Sequence, residues 1–63
     1  MPIKDLYDIC DQMNIYTKCF VISPENVAIV WGTRYGDLSV QLAELQIEHF
    51  RFMADDEVLI WVQ

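Results

Sequence analysis

Cations are scarce: Lys4, Lys18, Arg34 and Arg51 are the only Lys and Arg in 63 residues that carry ten Asp and Glu, and they fall singly along the chain. Proteins that grip a phosphate backbone gather Lys and Arg on one face to displace its counterions. Direct binding of DNA or RNA is therefore disfavoured by composition. No apolar run approaches the ~20 residues that cross a bilayer. Asp5, Asp8 and Asp11 also occupy the stretch where a secretory signal would be apolar. A cytoplasmic protein with no membrane partner is expected. Glycine is limited to Gly32 and Gly36, in a Gly-Thr-Arg-Tyr-Gly segment without the Gly-Lys-Ser/Thr ending of a phosphate loop. Nucleotide hydrolysis has no support there, although Arg34 in this connection is placed to meet a partner's carboxylate.

Cysteine and histidine are equally sparse. Cys10 and Cys19 are too few for a disulfide framework and lack the tight Cys-x₂₋₄-Cys knuckle of a structural zinc site. Both read as reduced thiols in a core. His49 is the single imidazole, with Arg51 two residues on and no serine or cysteine at a pairing distance. The expectation is a protein with no catalytic residue, no bound metal and no cofactor, and a pocket is hard to fit into so small a body. A metal- or thiol-dependent protein built on His49 and a cysteine is the weakest alternative.

What is abundant is apolar and acidic. Hydrophobic residues make up 54% of the chain and aromatics 13%, against a formal charge of −6. That apolar share excludes disorder. One domain spanning residues 1–63 is all that the length allows.

Helical spacing from Pro2 to Met13 puts Ile3, Leu6, Tyr7, Ile9, Cys10 and Met13 on one side, with Asn14 as a stop. Ile15 to Ile22 is β-branched and aromatic, as a strand requires, and Val27 to Trp31 resumes the pattern after a Ser-Pro-Glu-Asn turn. Asp37 is positioned to cap a second, short helix carrying Leu38, Leu42 and Leu45, although Val40 also permits a strand. Ile47 to Met53 alternates, with Glu48, Phe50 and Phe52 opposed to Ile47, His49, Arg51 and Met53. Ala54-Asp55-Asp56 turns the chain into a final strand, Glu57 to Val62.

The fold class is therefore α+β: a four-stranded, largely antiparallel sheet with two helices on one face, in the order α-β-β-α-β-β. Such a sheet leaves its second face uncovered. Either Tyr16/Phe20/Ile22 or Ile15/Cys19/Val21, and either Val58/Ile60/Val62 or Leu59/Trp61, must point away from the helices. The expected function is that of a non-catalytic, acidic protein-binding module, a small inhibitor or regulator seated on a basic surface of a larger protein. Asp5, Asp8 and Asp11 on the first helix, with Asp55, Asp56 and Glu57 at the last turn, are the carboxylates for that contact. On a rigid scaffold they would imitate the phosphate row of a nucleic acid, in the manner of phage inhibitors of host defence. Trp31, Trp61 and Tyr16 are the aromatic anchors. The alternative is a self-associating assembly protein, a homodimer paired through an apolar sheet face.

Overall fold

The apolar stripe at the start of the chain folds as helix α1 (Ile3–Ile9), in a computed structural model that describes residues 1–63. Ile3 and Leu6 are its buried residues. The helix is shorter than its periodicity, because Cys10 turns to extended backbone (φ −108°, ψ 113°). Met13 nevertheless reaches the core from the following turn, where its N–H donates to the Cys10 carbonyl at 3.1 Å. Pro2 lies outside the helix with ψ at 161° and bridges to Gln46. The Ile3 N–H donates to the Leu45 carbonyl and the Ile47 N–H to the Met1 carbonyl, fixing the start of the helix beside the start of the third strand.

The stop expected at Asn14 comes four residues earlier, at Cys10, and Asn14 instead shortens the first strand. Its side-chain oxygen accepts from the Tyr16 N–H at 2.8 Å, and its own N–H donates to the Thr17 hydroxyl at 3.0 Å. Ile15 to Thr17 are thereby committed to a turn, and strand β1 is Lys18–Ile22. Asn26 supplies the left-handed conformation (φ 67°) of the next connection, which Ser23 closes by accepting from the Val27 N–H. Strand β2 (Ala28–Arg34) runs three residues beyond Trp31. A 3₁₀ turn at Tyr35–Asp37 follows, and Ser39, not Asp37, caps helix α2 (Val40–Ala43) by accepting from the Leu42 N–H at 3.2 Å. Strands β3 (Ile47–Ala54) and β4 (Glu57–Val62) form the closing hairpin.

The sheet order is β2-β1-β4-β3, with β1 and β4 parallel and both outer pairs antiparallel. This is the expected α+β arrangement. Cys19 and Val21 of β1 and Val58, Ile60 and Val62 of β4 point toward Ile3, Leu6 and Met13. Leu38 and Leu45 border the same cluster from either side of the four-residue helix α2. Burial of Ile3 and Leu6 contributes roughly 1.5–3 kcal/mol each, which a seven-residue helix needs because it is too short to persist alone.

Simple alternation along β3 does not hold. An irregularity between Ile47 and His49 leaves Ile47 in the core opposite Val62, while His49 faces Trp61 on the other side. Phe50 and Phe52, opposite Ile60 and Val58, lie on the helix side. One extra residue in a strand reverses the facing of everything beyond it.

Candidate binding face of the sheet

With Cys19 and Val21 turned inward, the alternating residues Lys18, Phe20 and Ile22 point away from the helices. The registers carry this facing across all four strands. Phe20 pairs with Trp31 on one side and Leu59 on the other, and Leu59 pairs with Arg51, giving a row Trp31-Phe20-Leu59-Arg51 from edge to edge. The next row is Ile22-Trp61-His49, and the row on the opposite flank is Arg34-Lys18-Glu57. No helix covers these side chains.

Gly32 makes the first row possible. Its φ of +80° lies in the left-handed region, and it is the extra residue of β2 between Trp31, opposite Phe20, and Thr33, opposite Cys19. A Cβ here would stand 3.6 Å from the Phe20 ring, an ordinary contact, so it is the backbone angle rather than space that calls for glycine. Phe20 meets Trp31 edge to face at 4.9 Å between centroids. Trp31 remains 68% exposed, whereas Leu59, in mid-sheet on the same uncovered face, is only 9% exposed. Trp61 stacks on His49 at 4.2 Å and 13°, and the imidazole Nδ1 lies 3.1 Å from Glu48 Oε1. At the other end the Arg34 guanidinium is 6.0 Å from the exposed Tyr16 ring.

The anticipated site residues divide into separate places. Trp31 and Trp61 share the uncovered face, and Tyr16 lies at its margin through Arg34. Asp5, Asp8 and Asp11 lie on α1 or just beyond it, all exposed and with no ion-pair partner, on the opposite side of the sheet. Asp55 and Asp56 form the hairpin tip, and Glu57 joins the outer row beside Lys18. The carboxylates are therefore not one surface.

Three of the four cations, separate in the chain, share the uncovered face, with Arg34 and Arg51 on its two edge strands. Lys18 and Arg34 are cross-strand partners on the uncovered face, and Arg51 completes its central row. Only Lys4 lies elsewhere, 3.8 Å from Glu44. Neither this grouping nor the part played by Phe20 is visible in spacing alone, since both follow from register and from the Gly32 irregularity.

Cys19 and His49 point to opposite sides of the sheet, and no group of three His, Cys, Asp or Glu converges on a metal position. Burial pushes the Cys19 thiol up to about 11, which leaves it a weak nucleophile at neutral pH. Burial, followed by the nearby Asp8 charge, raises the Tyr35 phenol. Tyr35 stacks on Tyr7 at 4.2 Å, tying α1 to the 3₁₀ turn. The surface holds no pocket, and no helix is long and apolar enough to cross a membrane. Comparison with known protein families, with curated proteins and with solved structures finds no match to this chain.

Proposed function

We propose that this chain is a non-catalytic binding module that acts by laying the uncovered face of its sheet against a larger partner, as an inhibitor or regulator does. The observation that carries this reading is Trp31: a large ring held at 68% exposure, beside Phe20 and in the same face as Trp61. An indole in that position adds little to folding and has most of its area left to give to a contact.

The test is Trp31→Ala in an affinity pull-down from the native host extract. The substitution is expected to abolish recovery of the partner while moving the thermal midpoint by less than about 3 °C. Undiminished recovery would remove the sheet face from the account.

A second reading rests on the unpaired Asp5, Asp8 and Asp11, which give the helix side an acidic surface suited to a basic protein groove. It predicts that reversing all three to lysine blocks association and that the wild-type contact weakens steeply with salt. A homodimer through the sheet face is the least favoured contact. A second copy would set Lys18, Arg34 and Arg51 of one face against the same cations of the other.

A further inference from the structure

Resting on the reading of the uncovered face as the working surface, we infer that its occupant is a short single strand of nucleic acid, with bases stacked on the aromatic side chains and phosphates held by Arg34, Lys18 and Arg51. The first ground is charge. The face holds three of the four Lys and Arg against two carboxylates, Glu57 beside Lys18 and Glu48 beside His49. The rest of the chain has one cation and eight carboxylates. These cations share a face with the largely exposed Trp31 ring.

The second ground is the pairing of planar groups with those cations. Stacking of bases on aromatic side chains contributes about 1–3 kcal/mol per base and tolerates any sequence. Two such positions are present, Trp31 with Phe20 and Trp61 with His49. They lie on strands two apart and one row apart, about 12 Å by strand spacing, so they take different bases of one strand. A duplex keeps its base faces hidden and offers nothing to these rings. A second copy would bring Arg34, Lys18 and Arg51 against a surface of the same sign.

The net charge of −6 does not decide against this. At physiological salt, fields decay over about 8 Å. The carboxylates of α1 lie across a body 19 Å thick, beyond the sheet and its core. Asp55 and Asp56 border the Lys18 end, where the Lys18 N–H donates to the Asp56 carbonyl at 2.7 Å. Phosphate contact is accordingly expected to be strongest toward Arg34 and Arg51.

The experiment is a tryptophan-fluorescence titration of the intact chain with (dT)10 and (U)10, the corresponding duplexes, and a ten-residue polyglutamate. Quenching by either single strand is expected, with log K falling with log salt at a slope near −2, as three phosphate contacts give. Trp31→Ala is expected to weaken binding about 5- to 150-fold, by the loss of one stacked base. Arg51→Gln is expected to lower the salt slope by roughly 0.7. Absence of quenching by both single strands, equal binding of duplex, or equal binding of polyglutamate would each overturn the assignment. A nucleic-acid failure combined with Trp31-dependent recovery of a protein partner would leave the sheet-face reading standing and replace only its occupant. Failure of Trp31→Ala to alter either contact would remove both.

Discussion

Gly32 decides where the rings of the uncovered face go. A side chain there would meet Phe20 at an ordinary 3.6 Å, so the cost of Gly32→Ala is conformational rather than steric, about 1–2 kcal/mol for a left-handed residue. That loss is expected as a lower urea midpoint, together with an altered near-ultraviolet dichroism signal from the Phe20–Trp31 pair. Cys19 sets an alkaline limit. Its thiol is held at about 11 in the folded chain against 9.0 when free, so the unfolded state ionises first as pH rises. The associated stability is complete below pH 9 and is lost between pH 9 and 11, on the order of 2 kcal/mol. Tyr35 acts in the same direction from pH 10 upward. Urea midpoints at pH 8 and 10.5 check this: the wild type should fall, and Cys19→Ala, starting from a lower value, should fall less. At this scale Cys19 was legible in the sequence as a core thiol, whereas the placement of Lys18, Arg34 and Arg51 on one face of the sheet was not. Residue spacing fixes which side chains alternate, but only register and the Gly32 irregularity fix which of them become neighbours.

Among the elements, α1 depends on what it covers. Leu6→Ala opens a cavity in the core cluster and is expected to cost about 2–5 kcal/mol by chemical denaturation. Ile9→Ala, at a position 70% exposed three residues on, should cost under 0.5 kcal/mol. Equal losses at the two positions would contradict the placement of the helix. The existence and order of every strand and helix were readable from periodicity, because each must turn an apolar side to the same cluster. The ends were not. Helical spacing continues through Cys10 and Met13, yet Cys10 turns to extended backbone and accepts from the Met13 N–H in a turn that still delivers Met13 to the core. A bulge in β3 likewise reversed Ile47 relative to His49, which no alternation pattern records.

Taken whole, the molecule has two chemically different sides. The helix side carries unpaired carboxylates, and the open sheet side carries rings and cations. The expected union of Asp5, Asp8 and Asp11 with Trp31 and Trp61 in one contact does not occur, since the sheet separates them. Composition gave the excess of acid, but segregation of charge belongs to the fold. Reversing Asp55 and Asp56 to lysine is expected to leave the thermal midpoint nearly unchanged, because the hairpin tip is exposed, and to strengthen rather than weaken single-strand binding. Weaker binding in that variant would show that the tip carboxylates themselves make the contact. The uncovered face is tested most directly by mapping amide and indole resonances of the labelled protein during titration with (dT)10. The predicted result is perturbation of Phe20, Trp31, Arg34, Arg51, Leu59 and the Trp61 indole, with Asp5 to Asp11 unmoved. Perturbation confined to α1, or none at all, would contradict it.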